Sequence, residues 1–300
     1  MIVSVSRRTD IPAFYSKWFL NRIRRGWCLV PNPFNANQVS RVTLAAAEVD
    51  AFVFWSRNPR PLMRYLDELD DMGFRYYFLF TLIGYPDRID PGSPPLSLSI
   101  RTFQELSARV GSQRVIWRYD PIVLSGLSGT GFHESNFRLV AQELKGATDR
   151  CIISFVKPYR KARARMEAAA PGSSEPVDFG SPAICGLLNS ISQTARENRM
   201  EIFSCASEQD LSAFGINSSK CIDADLISKL FAIEISPPKD PCQRKECGCA
   251  TSRDIGMYNT CLFGCSYCYA TSSLERAKAN YARHDPQSPS LLGGQKDQEI

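Results

Sequence analysis

The sequence predicts an α/β fold with a parallel sheet, either open or rolled into a barrel, and three observations support this. Six short runs rich in β-branched and aromatic residues recur along the chain, at 2–6, 51–55, 76–82, 114–119, 151–156 and 201–205. Most of these runs are almost continuously apolar, as are parallel strands covered on both faces. Helical apolar stripes lie between them, and this alternation of strand and helix is typical of βαβ units.

Composition narrows the class of protein. The chain has 300 residues, of which 44% are hydrophobic, which is enough for one large domain or two medium ones. The net charge of +5 permits an anionic substrate or nucleic acid without requiring either. Arg7 and Arg8 interrupt the start of the chain too early for a signal-peptide core, and no apolar run approaches the ~20 residues that span a bilayer. We therefore expect a cytoplasmic protein with no membrane segment.

Pro-, Gly- and Ser-rich stretches predict the boundaries between regions. We predict a β/α barrel body over 1–235, a cysteine-rich cluster-binding segment over 236–283 that completes the barrel, and a disordered tail over 284–300. The longest irregular stretch, 161–182, predicts a mobile insertion.

Polar residues follow several of the predicted strands. In parallel α/β folds, ligands bind at the carboxyl ends of strands, so these side chains are candidates for substrate or cofactor contacts. They are Arg7, Arg8, Asp10, Arg57, Asn58, Arg118 and Asp120. We take Arg8, Asp10, Arg118 and Asp120 as the candidate catalytic residues. Two structural alternatives stay open: Asp10 precedes a proline as a helix N-cap does, and Arg118 and Asp120 could form an ion pair.

Eleven cysteines require an explanation. Their odd number and a reducing compartment disfavour disulfides. Cys28, Cys151 and Cys185 lie in apolar settings and are predicted to be small buried side chains. Six others crowd into residues 242–268, and such crowding in an intracellular chain indicates metal binding.

The strongest motif is NTCLFGCSYCYA at 259–270. Thiolates from Cys261, Cys265 and Cys268 on one short loop can bind three corners of a cubane iron–sulfur cluster and leave one iron open to a small molecule. Gly264 suits a loop that passes close to a cluster. Zinc is the alternative, with Cys265 and Cys268 as one ligand pair and a second pair at 247 and 249.

This C-x3-C-x2-C spacing, with an aromatic residue before the last cysteine, resembles the signature of the radical S-adenosylmethionine superfamily. The resemblance implies that Cys261, Cys265 and Cys268 hold a [4Fe-4S] cluster whose fourth iron binds S-adenosyl-L-methionine, with Tyr267 near the adenine as a cofactor-binding residue. It also implies a partial or full parallel β/α barrel. In that superfamily the motif normally follows the first strand. Here it lies near the end of the chain, which indicates a circular permutation with 254–259 as the motif-bearing strand, 272–283 as its helix and 2–6 as the next strand.

Nearly the whole chain, over 1–270, also resembles an uncharacterised bacterial family with this layout. The similarity rests on SRRTDIP near the start, FWSRNP and WRYDP in the middle, and SRDIGMYNTCLFGCSYCYA near the end. It supports the fold and the cluster and leaves the reaction open.

A second metal site is predicted from four more cysteines. Cys205 ends a strand, Cys221 precedes a helix, and Cys247 and Cys249 come directly before the motif segment. If the fold brings them together, they could hold another [4Fe-4S] cluster or zinc, with plain burial as the alternative. Cys242, flanked by proline and charged residues, is predicted not to be a ligand.

The leading functional hypothesis is a radical S-adenosylmethionine enzyme. The resemblance implies that the reduced cluster cleaves the cofactor to methionine and a 5′-deoxyadenosyl radical, which acts on an unidentified substrate, with flavodoxin or ferredoxin as the reductant. A metal-stabilised nucleic-acid-binding module without catalysis is the alternative, drawn from the positive charge and the basic residues Arg160, Lys161, Arg163 and Arg165. A third hypothesis is that the protein is an electron carrier. His133 and His284, the two histidines, are predicted to be solvent-exposed and without a catalytic role.

Overall fold

A computed structural model describes residues 1–293, apart from the side chain of Ala36. Eight strands form a large sheet in the order β10-β1-β4-β5-β6-β7-β8-β9, and β2 pairs with β3 separately. The strands are β1 (Ile2–Val5), β2 (Trp27–Asn32), β3 (Asn35–Thr43), β4 (Ala51–Ser56), β5 (Tyr76–Thr81), β6 (Val115–Ile122), β7 (Arg150–Phe155), β8 (Glu201–Cys205), β9 (Asn217–Ser219) and β10 (Arg253–Asp254). All six predicted strands are confirmed, as β1, β4, β5, β6, β7 and β8.

The described helices alternate with these strands. They are α1 (Ile11–Phe14), α2 (Ser16–Arg25), α3 (Arg60–Met63), α4 (Leu66–Asp71), α5 (Leu96–Val110), α6 (Thr130–Glu143), α7 (Arg160–Ala169), α8 (Pro182–Glu197), α9 (Ala224–Phe231) and α10 (Leu274–Ala282). The prediction of an irregular insertion at 161–182 is wrong over its first half, because α7 occupies it and buries Ala162 and Met166. None of the helices in the described part of the chain is both long and apolar enough to cross a membrane.

The chain divides into two compact units. The first comprises 1–78, 252–264 and the described residues from Ala270 onward, and the second comprises 79–251 and 265–269. The cysteine-rich stretch predicted as one segment over 236–283 is thus shared between the units. Cys261 belongs to the first unit, whereas Cys265 and Cys268 belong to the second.

In the first unit, β1 is the middle strand of a parallel trio. It pairs with β4 through Ile2↔Ala51 and with β10 through Val3↔Arg253 and Ser4↔Asp254. The strand ahead of the cysteine motif therefore lies directly beside the N-terminal strand, as the permuted order predicts. The strand β10, Arg253–Asp254, is much shorter than the predicted strand over 254–259. Of the predicted residues, only Asp254 belongs to the strand.

The segment after α10 differs from the predicted disordered tail over the residues that the structure describes. The Trp18 indole N–H donates to the Ser288 carbonyl at 3.0 Å, and the Leu29 amide donates to the Pro289 carbonyl at 2.9 Å. Leu291 is buried. Apolar contacts and backbone pairing hold this part in place, and the predicted tail beyond residue 293 lies outside the described residues.

In the second unit, β6, β7, β8 and β9 pair in parallel, with Trp117↔Cys151 and Cys151↔Ile202 in register. Trp117 is fully buried and stacks on Phe137 of α6 with ring centroids 4.7 Å apart. Cys28 in the first unit and Cys151 here are buried as predicted, whereas Cys185 is half-buried. Among the described strands the pairing ends at β10 on one side and at β9 on the other.

Candidate metal and cofactor site

Asp254, at the end of β10, anchors the segment that leads to the cysteine motif. Its carboxylate accepts hydrogen bonds from the hydroxyls of Ser4 and Ser6 at 2.8 and 2.7 Å and from the Arg7 amide at 2.8 Å. The Gly256 amide also donates to it, at 3.0 Å. Asp254 could not be recognised from sequence, because an acidic residue directly after a serine and an arginine gives no separate signal.

Arg8, a predicted catalytic residue, lies against the same segment. Its Nη1 donates to the Gly256 carbonyl at 3.3 Å, and its guanidinium lies 5.4 Å from the centre of the Tyr258 ring. The Arg8 Nε is 4.0 Å from the Asp254 carboxylate. The residue is partly exposed, so it both supports the chain before Cys261 and presents charge to solvent.

Asp10 caps a helix, so the capping interpretation is confirmed. Its Oδ1 accepts from the Ala13 amide at 2.9 Å and from the Ser56 hydroxyl at 2.8 Å, and its Oδ2 accepts from the Arg57 amide at 2.7 Å. Burial raises the pKa of Asp10 to about 6, although the hydrogen bonds from Arg57, Ser56 and Ala13 oppose the rise. The side chain thus ties α1 to the end of β4.

Two contacts hold the chain on either side of Cys261. The Tyr15 hydroxyl donates to the Thr260 carbonyl at 2.7 Å, and the Phe263 ring packs on Phe14 with centroids 4.7 Å apart. Thr260 and Phe263 are buried, while Cys261 between them is half-buried. The backbone on both sides of Cys261 is therefore held by contacts with α1 and with the residue that follows it.

Arg165 of α7 holds the second half of the motif. Its Nε donates to the Ser266 carbonyl at 2.9 Å, and its Nη2 donates to the Cys268 carbonyl. The Ser266 amide donates to the Ile89 carbonyl at 2.9 Å, and the Cys268 amide to the Cys265 carbonyl at 3.1 Å. Arg165 was grouped with exposed basic residues from sequence, but it is half-buried against this loop.

Tyr267 lies in a buried polar contact. Its hydroxyl donates to the Asp90 carboxylate at 3.0 Å, and its ring lies edge-on to Tyr85 at 6.1 Å between centroids. Cys265 is buried and Cys268 is half-buried. Hydrogen bonds from Arg165 to the backbone and from Tyr267 to Asp90 therefore hold the loop from Cys265 to Tyr269.

Arg118 and Asp120, the other predicted catalytic residues, form a buried ion pair, as the structural alternative proposed. The Ser154 hydroxyl of β7 also donates to the Asp120 carboxylate. Asp120 and Ser154 lie near the carboxyl ends of β6 and β7, the edge at which a parallel sheet is expected to bind ligands.

The four cysteines predicted as a second site all lie in the second unit, and the fold brings them near one another. The Cys205 and Cys221 sulfurs are 3.2 Å apart, and the Ile222 amide donates to the Cys249 sulfur at 3.4 Å. The hydrogen bond from Cys221 lowers the pKa of Cys205 to about 7, against its burial. Hydrogen bonding to Cys249, together with burial, raises the pKa of Cys247.

His133 is fully buried, so the prediction of a solvent-exposed histidine is wrong. Its ring nitrogens lie 2.9 Å from the Tyr119 hydroxyl and 3.1 Å from the Val123 carbonyl. Burial lowers the pKa of His133 to about 4, which keeps the imidazole neutral. Its position three residues into α6, on the face that also carries Phe137, was the signal that could have identified it as a core residue.

Between residues 1 and 293, no three or more His, Cys, Asp or Glu side chains form a group that could hold a metal ion in the present arrangement. The residues nevertheless offer the chemistry of thiolate metal sites. Cys261, Cys265 and Cys268 fall within a stretch of eight residues. Contacts between thiols link Cys221 to Cys205 and to Cys249, and Cys249 to Cys247.

The fold and site together define an α/β protein with a large parallel sheet and a cysteine-rich segment near its C-terminus. Over residues 2–270 the chain matches the model of a family described as a domain of unknown function, DUF1848, and it belongs to that family. No curated protein matches the chain.

Proposed function

We propose that this protein is a radical S-adenosylmethionine enzyme whose iron–sulfur cluster is held by Cys261, Cys265 and Cys268. The spacing of these three cysteines, on a loop that follows a strand of a parallel sheet, carries the proposal. Thiolates are the usual protein ligands of iron–sulfur clusters, and three of them leave one iron of a four-iron cluster for the cofactor.

The residues around the motif suit such a group. Gly264 has a φ of +71°, which an L side chain rarely adopts, so the chain can turn sharply between the first two cysteines. Cys261 and Cys268 are half-buried, and the flanking carbonyls of Ser266 and Cys268 are bound by Arg165. The protein therefore holds the second half of the loop through its backbone carbonyls.

When bound, the cluster would supply an electron for reductive cleavage of S-adenosyl-L-methionine, and a reductant such as flavodoxin or ferredoxin would have to supply it in turn. The chain's own residues would orient the cofactor and shield it from water. The Tyr267 ring is held by a hydrogen bond to Asp90. The resemblance implies that this ring lies near the adenine of the cofactor. Arg8 presents a cation beside the segment that leads to Cys261.

We further propose that the sheet belongs to a permuted β/α barrel. The position of β10 beside β1 supports this, because the motif-bearing strand then precedes the N-terminal strand in spatial order. In parallel β/α folds the reactive groups lie at the carboxyl ends of the strands. Here Arg8 follows β1, and Asp120 is among the last three residues of β6.

The nucleic-acid-binding alternative has weaker support. This alternative rests on the basic residues of α7. One of them, Arg165, donates a hydrogen bond to the Ser266 carbonyl in the cysteine loop. Arg160, Lys161 and Arg163 remain as exposed positive charge, which is common on a solvated helix face. Binding of S-adenosyl-L-methionine by the cluster-loaded chain separates the two functions.

The test is to make the full chain with added iron and purify it without oxygen. We expect bound iron, acid-labile sulfide and, with dithionite and S-adenosyl-L-methionine, slow release of 5′-deoxyadenosine. Cys265→Ala should abolish this release, whereas Cys242→Ala, which removes an exposed cysteine from the same region, should retain it. A chain that binds no iron or sulfide, or equal release by the two variants, would refute the proposal.

A further inference from the structure

We propose that Cys205, Cys221, Cys247 and Cys249 bind a single zinc ion, at a site separate from the iron–sulfur motif. The four residues come from three stretches of chain within the second unit: the end of β8, the turn before α9, and the segment that follows α9. Three of them are buried and Cys205 is half-buried. Four cysteines gathered from separate stretches form the donor set of a structural zinc site.

The distances between sulfurs favour one metal ion over a cluster. Four sulfurs bound tetrahedrally at about 2.3 Å from one zinc lie about 3.8 Å from one another. The Cys205 and Cys221 sulfurs are already 3.2 Å apart, and the Cys249 thiol interacts with both Cys221 and Cys247. In a cubane cluster each thiolate binds a different iron, which holds the sulfurs further apart.

The surroundings suit a negatively charged tetrathiolate. Zinc with four thiolates carries two negative charges, and the cations of Arg118 and Arg244 both act on Cys205. The Ile222 amide donates to the Cys249 sulfur at 3.4 Å, which is the kind of outer contact that orients a metal ligand. Arg118 would then serve the zinc site through charge and not contact a substrate.

The spacing of the ligands is unusual for zinc, since only Gly248 separates Cys247 from Cys249. The Ala250 amide donates to the Ile222 carbonyl at 3.0 Å, which fixes this segment beside the turn that carries Cys221. In the described chain no three of these thiols are yet arranged around one point where a metal ion could bind. Zinc binding therefore requires the cysteine side chains to rotate about their Cα–Cβ bonds, and it requires the thiols to lose their protons.

The experiment measures metal in the full chain and in a triple variant, Cys261→Ser, Cys265→Ser and Cys268→Ser, both purified under reducing conditions without chelator. We expect about one zinc per chain in both proteins. Adding Cys205→Ser and Cys249→Ser to the triple variant should lower the zinc content about tenfold or more, whereas adding Cys242→Ser should leave it unchanged.

A direct readout avoids reliance on variants that fold poorly. Co²⁺ added to the metal-free triple variant should produce intense thiolate-to-cobalt charge-transfer absorption and the visible bands of a tetrahedral ion. A folded, reduced triple variant that binds neither zinc nor cobalt would overturn the zinc site, as would iron and sulfide in place of zinc or a Cys205–Cys221 disulfide as the stable form. Zinc in the triple variant with no iron in the wild type would overturn only the radical-enzyme proposal.

Discussion

A β-carbon placed on Gly256 would lie 2.0 Å from the Oγ atom of Ser6. Ser6 cannot move aside freely, because it is buried, donates to Asp254 at 2.7 Å and accepts from the Arg8 amide at 2.9 Å. The chain that leads to the cysteine motif can therefore approach β1 this closely only with glycine at position 256.

We predict that Gly256→Ala lowers the free energy of unfolding by about 1–3 kcal/mol, the usual cost of overpacking. Gly186→Ala is the matched control. It lies inside α8 with nothing within 4 Å of the added carbon, so it should raise stability by about 0.5–1 kcal/mol. Chemical denaturation of both variants measures the difference, and a neutral Gly256→Ala would show that Ser6 yields easily.

Arg165 should control the order of the loop over 265–269. Replacement by glutamine removes the positive charge and the paired donors to Ser266 and Cys268, so we expect faster exchange of the loop amides, on the order of tenfold. Hydrogen–deuterium exchange of the metal-free chain measures this without reference to any cluster. Arg163→Gln, an exposed neighbour on α7, should leave exchange unchanged. Equal exchange in both variants would contradict the role of Arg165.

Asp10→Asn should destabilise the protein by about 1–3 kcal/mol at about pH 8, where the carboxyl group is ionised. Both carboxylate oxygens accept hydrogen bonds, from Ala13, Ser56 and Arg57, so an amide NH₂ in either position faces a donor. Thermal or denaturant unfolding provides the measurement. Asp71→Asn, on an exposed part of α4, should change stability by less than ~0.5 kcal/mol.

His133 should make the protein less stable in acid. Its pKa is about 4 in the folded chain and 6.5 when unperturbed, so the unfolded chain binds the proton more tightly. The stabilisation is complete above pH 6.5 and is lost as the pH falls toward 4, by roughly 3 kcal/mol in total.

His133→Gln removes this titration while keeping a hydrogen-bonding side chain. The difference in unfolding free energy between wild type and variant should therefore shrink as the pH falls from 7 to 4. Because the variant retains His284, whose pKa burial also lowers, the comparison isolates His133. A difference that does not change with pH would show that the folded and unfolded chains bind the His133 proton equally, so that burial does not lower its pKa.

The strands could be predicted from sequence, because runs such as Ala51–Ser56 combine length, apolar character and β-branched or aromatic residues. The hairpin of β2 and β3 could not. Pro31 and Pro33 interrupt it and its polar residues resemble a loop, yet Trp27 to Thr43 pair in antiparallel register through tertiary support. The helix α7 was missed because a Pro-, Gly- and Ser-rich stretch follows it directly.

The candidate site residues could be predicted only where they lie close together in the sequence. The spacing of Cys261, Cys265 and Cys268 is visible in a few residues, whereas the hydrogen bond from Arg165 to Ser266 joins positions 101 apart. The approach of Cys205 to Cys221 likewise depends on how β8, β9 and α9 pack. Contacts of this kind follow from the fold and leave no pattern in the neighbouring sequence.

The pairing of β1 with β10 cannot form until the ribosome has made residues 253 and 254. The ribosome makes Ser4 and Ser6 long before their partner Asp254, which lies 250 positions after Ser4. Until then one edge of β1 has unpaired backbone groups, the kind of edge that recruits other strands. A nascent chain stalled before residue 253 should therefore be prone to association through this edge.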